Sequence, residues 1–330
     1  MTIIDVQGGR YVPQSTPTGK VLWVDSEKGN DSVARRGFMT VPFLTLAAAK
    51  DAASSGDTIV VLPGSYSTSA QLAKAGVNWH FLNGAVVTTN TASLSLFQVN
   101  SAMTFRVTGA GLFSTGGGDH ILDVSHSSAD VYFQAWRLAA AKSAVKVTSS
   151  TSVVVDADLV LGDESAAVDI SGGTTFVRAR QIQSEQLHAV HVHGGTLDVD
   201  GFQIKSNGGK GILFDSGTAR IRAFEVLATT APAVVYTYSG TLTIQNSRLV
   251  STWNNSGGYA LQVTGGTSGI KLHSCVLISH TSASYSITSS TANFPLQFHG
   301  MCTGNKPTNN LQGPTLALSW WAFNDGTGIT

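Results

Sequence analysis

The chain is 330 residues long, and its 20 Lys and Arg balance its 20 Asp and Glu, giving zero formal net charge with only 12% of residues charged. A neutral chain leaves no electrostatic footprint for nucleic acid or for an anionic membrane surface. No apolar stretch approaches the roughly 20 residues that a membrane-spanning helix needs, so neither nucleic acid nor membrane insertion is expected, and no motif calls for a cofactor.

The opening segment, residues 1–20, is polar and carries Pro13, Pro17 and Gly19; it reads as an extended arm or attachment segment. It has no basic region followed by an apolar run, so no secretory signal peptide is expected. Residues 21–57 read as an end cap. Thr45–Ala53 is an Ala-rich helical run containing Lys50, and Gly56-Asp57 stops it and turns into a first strand, Thr58–Leu62. Such a helix covers the apolar end and open strand edges of a stack of strands.

The middle of the chain is repetitive. Phrases open at Ala144 (AVKVTSS), Ala167 (AVDISGG), Ala189 (AVHVHGG), Gly211 (GILFDSG) and Ala233 (AVVYTYSG), spaced by 23, 22, 22 and 22 residues. Each begins with an alternating apolar run, continues through Gly or Ser, and enters a second alternating run such as FVRARQI or IRAFEV. Period-two alternation reads as strand, and a fixed period in this range reads as a stacked repeat. The expected fold is all-β: a parallel β-helix (solenoid) of about ten turns, with residues near 22 apart stacked about 4.8 Å from one another. Columns support this. Val155, Val177, Val199 and Ile221 form one apolar column, and Val160, Ile182, Ile204 and Val226 another. Asp156, Arg178, Asp200 and Arg222 alternate in charge at the same spacing, Asp158 pairs with Arg180, and Asp198 with Arg220. Further turns start near Leu96, Ile121, Ala260 and Ser284, which gives a solenoid over 21–290. The period is broken most strongly by STWNNSGGY before Ala260, and residues 291–330 read as a C-terminal cap or oligomer contact. Cys275 and Cys302, 27 residues apart, fall about one turn from each other; they read as inert thiols, with a disulfide as the alternative.

The cap block carries a resemblance. Val24-Asp25, Gly29-Asn30-Asp31, Pro42-Phe43-Leu44-Thr45-Leu46, Gly56-Asp57-Thr58-Ile59 and Pro63-Gly64-Ser65-Tyr66 succeed one another at short spacing, and Leu72–Thr88 continues them. This pattern resembles the opening of pectate-lyase-like right-handed parallel β-helix proteins, in the variant found in bacteriophage tail spikes and fibres and in bacterial surface β-helix proteins. The match is close over about residues 21–90. Right-handedness is implied by the resemblance and agrees with the hand of parallel crossovers. The resemblance further implies a virion-associated structural and receptor-binding protein. It would be a homotrimer of rods, attached to other tail proteins through the N-terminal arm and contacting host cell-surface polysaccharide. Its localisation would be the virion. Two alternatives stand beside it: a lyase or endoglycosidase that degrades capsule or O-antigen, and a bacterial surface adhesin.

Candidate site residues are few. Asp123, Lys146, Asp169 and His191 hold the third place in successive phrases and should form an outward ladder, with His193 beside it and Asp215 a turn further on. Asp169, His191, His193 and Asp215 are the catalytic candidates, since carboxylates and imidazoles are the groups that move protons in polysaccharide cleavage. The competing reading is a surface ion-pair ladder, worth about 0–1 kcal/mol per pair. His188, His191 and His193 invite a metal, yet the sequence fixes no third type of ligand, so no metal is expected. For ligand binding the candidates are Trp253, Asn254 and Asn255 in the insertion, with Tyr236, Tyr238 and Tyr259 on neighbouring turns. Together these would make a stacking platform for sugar rings, against the alternative that Trp253 packs on the coil or in an interface.

Overall fold

The structure, a computed structural model, describes residues 19–89, 91–117, 119–253, 258–265, 269–279, 287–289, 296–299, 302–304 and 321–323. Among the described residues every strand pairing is parallel and links one turn to the next, forming a β-solenoid of about ten turns with a single short helix. The expected fold class is the observed one.

Each turn of the regular middle has three faces. On the first, short strands such as Val145–Ser149, Val168–Ile170 and Val234–Tyr236 stack. The second and third faces are the two halves of long bent strands, Asp130–Ala140, Ser152–Gly162 and Thr174–Ser184. In Val190–Ser206 and Ile212–Ala228 the strand runs through all three faces. The columns read from spacing are real neighbours: Val155 pairs with Val177, Val177 with Val199, and Val199 with Ile221. All four are fully buried, as are Val160, Ile182, Ile204 and Val226. Each such side chain contributes about 1.5–3 kcal/mol of burial. In the earlier turns the interior is aromatic: Phe97 packs edge-on against Trp79, Phe113 and Phe133 at 5.1–6.5 Å between centroids.

The bends are set by small residues. Between the second and third faces lies a column of Ala135, Ala157, Ala179, Gly201 and Ala223. A Cβ on Gly201 would sit 2.6 Å from the Ala179 carbonyl oxygen, so no larger residue fits there. At the end of the third face an inward column of Gly162, Ser184, Ser206, Ala228 and Ser251 leaves room for the chain to turn. Its hydroxyls satisfy the turn backbone: Ser184 Oγ donates to the Ser165 carbonyl at 3.1 Å and accepts the Leu187 amide at 3.2 Å.

The N-terminal cap explains its own motif. The helix spans Leu46–Ala52, with Thr45 as N-cap accepting the Ala48 amide at 3.2 Å. Asp31 holds the approach, taking the Leu44 and Thr45 amides at 2.7 and 3.1 Å and the Thr45 hydroxyl at 2.7 Å. Asp57 is fully buried and accepts from the Arg36 guanidinium and from the Lys20 and Ser54 amides at 2.7–2.8 Å. Leu46 and Ala49 are the buried side of the helix, as a lid requires.

The expected arm, residues 1–20, lies outside the described residues except for Gly19 and Lys20. Most of the expected C-terminal cap, 291–330, does too. Stacking nevertheless continues past Ser290, because Leu296–His299 pairs in register with Ile270–His273 and Cys302–Gly304 with the start of Val276–Ser279. Cys275 is buried; the Cys302 side chain lies outside the described residues.

Candidate functional site

Two places on the wall of the rod gather chemistry. One is the expected ladder on the first face. Asp123, Lys146, Asp169 and His191 do stack in register, one per turn. Beyond His191 the column changes, for its neighbour is Leu213. Asp215 reaches the site by another route. Val192 pairs with Phe214, but His193 pairs with Ser216, so Asp215 is the extra residue of a bulge. A bulge re-aims a side chain, and this one aims Asp215 back at His191, with Oδ2 2.9 Å from Nε2. His193 leans down to Asp169, Nε2 to Oδ1 at 2.8 Å. The two rings lie nearly parallel, 4.4 Å between centroids, because residues two apart on a strand share a face.

Burial pushes the Asp215 carboxyl up. Its hydrogen bonds from His191 and from the Thr237 hydroxyl outweigh that and hold it below the usual carboxylate range. His188 touches His191 edge-on at 5.8 Å. Burial, with Lys210 and the His191 ring close by, brings its imidazole down to about 4, and its Nδ1 accepts the Lys210 amide at 3.2 Å. His188 is thus a neutral, structurally engaged ring. The four catalytic candidates Asp169, His191, His193 and Asp215 are brought together. Two His–carboxylate pairs in contact could relay protons, or hold a cation between them.

The second place is not among the candidates that the sequence suggests. Trp136 stands at the bend between the second and third faces, 51% exposed, with its amide on the Gly111 carbonyl. Beside it opens a cleft of about 440 Å³ lined by Gly109, Ala110, Gln134, Asp156, Asp158, Arg178 and Arg180. Small residues at the bend make the space, and Trp136 walls it. Asp158 and Arg180 close a two-point pair across one turn, at 2.8 and 3.0 Å. A signal exists in the spacing: Trp136, Asp158, Arg180, Phe202 and Phe224 are each 22 residues apart, a column at the bend itself. Phe202 and Phe224 are both exposed and stack flat on each other, 5.0 Å between centroids.

Of the residues of the expected sugar platform, Tyr236 turns inward. Tyr236 is fully buried, stacked on Phe214 at 5.2 Å, with its hydroxyl on the Gly240 carbonyl. Its place in the phrase has the inward parity of Val234, so its ring belongs to the core. Tyr238 is 70% exposed, while Trp253 and Tyr259 are half-buried. Asn254 and Asn255 lie outside the described residues. One ion-pair expectation also changes. Arg222 reaches Asp198 at 2.9 Å, diagonally, while Arg220 turns away to the Gln245 side-chain oxygen at 3.1–3.2 Å. A diagonal neighbour on the same face is within reach of so long a side chain.

No family model matches the chain, and no curated protein or solved structure matches it either.

Proposed function

We propose that this chain is a structural and receptor-binding rod of a virus particle, a tail spike or tail fibre, that contacts cell-surface glycan along its wall. The observation that carries the binding half is the Trp136 cleft. An exposed indole face suits the apolar face of a sugar ring, and Gln134, Asp156, Arg178 and the Asp158–Arg180 pair offer donors and acceptors for hydroxyls. The viral half rests on the resemblance of residues 21–90 to pectate-lyase-like β-helices of phage tails. A solenoid whose backbone bonds run from turn to turn is a stiff support for such a surface. The exposed Phe202–Phe224 stack suits an apolar contact between copies, in keeping with a homotrimer.

A second reading, a polysaccharide-cutting enzyme, is favoured by the Asp169–His193 and His191–Asp215 pairs. One experiment separates them. The full chain is incubated with a panel of bacterial capsules and O-antigens, and both retention and cleavage are scored. Retention without new reducing ends or unsaturated uronate supports the binding rod. Cleavage supports the enzyme, and neither retention nor cleavage over a broad panel defeats the glycan reading.

A further inference from the structure

The first-face cluster brings two imidazoles and a carboxylate within reach of one another. Asp215 Oδ2 lies 2.9 Å from His191 Nε2, a contact that selects the tautomer with the proton on that nitrogen. His191 Nδ1 then presents a lone pair, and it faces Asp169 Oδ1 at 3.8 Å. The same oxygen already accepts from His193 Nε2 at 2.8 Å. A cation placed between His191 Nδ1 and Asp169 Oδ1 would engage both, with His193 Nε2 beside them.

We propose that Asp169, His191 and His193 form a binding site for a divalent transition ion of the zinc class. One ligand atom from each of the three lies within 4.8 Å of the others, close enough for small side-chain movements to bring all three onto one ion. Two imidazoles and one carboxylate form a donor set suited to zinc, nickel or copper and poorly suited to magnesium or calcium, which prefer oxygen. Asp215 completes the arrangement from outside. By accepting the Nε2 proton of His191 it fixes the tautomer that turns Nδ1 toward the site, the role a carboxylate plays behind a metal-bound histidine. Thr237 in turn donates to Asp215. In its Nδ1–H tautomer His193 offers Nε2 to the ion. His188 stays outside the ligand set, its Nδ1 being taken by the Lys210 amide. The site joins two consecutive turns of the rod through Asp169 below and the two histidines above, with the bulge of the next turn supplying Asp215. It is independent of the glycan cleft, which lies at another bend.

The test uses the full chain stripped with a chelator and dialysed. Zinc is titrated calorimetrically, and cobalt is added separately to read its visible absorption. The expected result is one zinc per chain, a cobalt spectrum with nitrogen and oxygen character, and no competition by a large excess of magnesium or calcium. His191→Ala and His193→Ala should each abolish that stoichiometric uptake. Asp215→Asn, which keeps the shape, should weaken it by about 10-fold or more. His273→Ala, in a second stacked histidine pair on another face, should leave it unchanged. Circular dichroism of each variant confirms that the rod is intact. The proposal is overturned if the wild type takes up no zinc, or if the His191→Ala, His193→Ala double variant takes up as much. It is equally overturned if nitrogen NMR at saturating zinc shows His191 doubly protonated, since a proton would then fill the gap.

Discussion

Arg180 grips Asp158 from the next turn through two parallel hydrogen bonds, and Trp136, one turn below Asp158 in the same column, stands bare at the bend. The pair neutralises itself, and the indole face stands open to a ligand beside it and the other polar groups of the cleft. Trp136→Ala should reduce glycan retention about tenfold or more, because aromatic stacking supplies about 1–3 kcal/mol in comparable flat-on-flat recognition. Its stability should move by no more than about 1 kcal/mol, since half of the ring is already in water. Retention assays and urea melts on the same preparation check both.

Gly195 adopts φ +70°, and a Cβ there would lie 2.7 Å from the Gly172 carbonyl carbon and the Gly173 oxygen one turn below. Gly173, Gly217 and Gly240 share the left-handed conformation in adjacent turns. Gly195→Ala should cost about 2–4 kcal/mol, the left-handed strain plus displacement of packed backbone. Because Gly195 lies just beyond His193, the same change should impair zinc uptake. Chemical denaturation and calorimetry would register the two effects separately.

Thr175 points inward between Val153 and Leu197, fully buried, and its hydroxyl has no hydrogen-bond partner among the described residues. Thr175→Val removes the stranded oxygen and keeps the shape. It should stabilise the rod by about 1 kcal/mol. A lower midpoint in urea for the variant would show that the hydroxyl is engaged after all.

Burial alone would raise the Asp57 carboxyl, but Arg36 and the Ser54 and Lys20 amides overcome this and hold it below its ordinary 3.8. The native state thus binds its proton less tightly than the unfolded chain does. Stability from this group is complete above about pH 4 and is lost as pH falls from there through the lowered native value. Asp57→Asn should flatten the acid limb of the stability curve and cost about 2–4 kcal/mol at neutral pH, where Arg36 loses its counter-charge. Melting curves of both proteins between acid and neutral pH provide the comparison.

Phe202 and Phe224 present a stacked, exposed apolar pair. If copies of the rod meet there, Phe202→Ser with Phe224→Ser should shift the mass in light scattering from trimer toward monomer and leave the circular dichroism unchanged. A monomeric wild type would remove the oligomer from the proposal.

Much of this architecture is legible in the sequence, because stacked turns convert spacing directly into contact. Val155, Val177, Val199 and Ile221 can be placed by arithmetic, as can the Asp158–Arg180 pair. Tyr236 is misplaced when its aromatic chemistry is given more weight than its parity with Val234. Trp136 escapes notice although it sits 22 residues before Asp158, since the bend column does not announce itself by alternation. Asp215 groups correctly with the histidines, but its route is not visible in the spacing. It lies 22 residues after His193, and only the bulge that pairs His193 with Ser216 turns it toward His191 instead. The cap residues Asp31 and Asp57 read as motif letters in the sequence and as ligands of backbone amides in the fold.

The inward row of Gly162, Ser184, Ser206, Ala228 and Ser251 turns five successive coils at the same place, so these coils are interchangeable in a way that globular cores are not. Duplicating or excising one complete coil would lengthen or shorten the rod by a single storey and return each surviving side chain to its own row. Losing one residue from the middle of a coil would instead throw a whole storey out of phase. Evolution of such a molecule is therefore expected to proceed by storeys, with the sites on its wall free to move apart or together without being rebuilt.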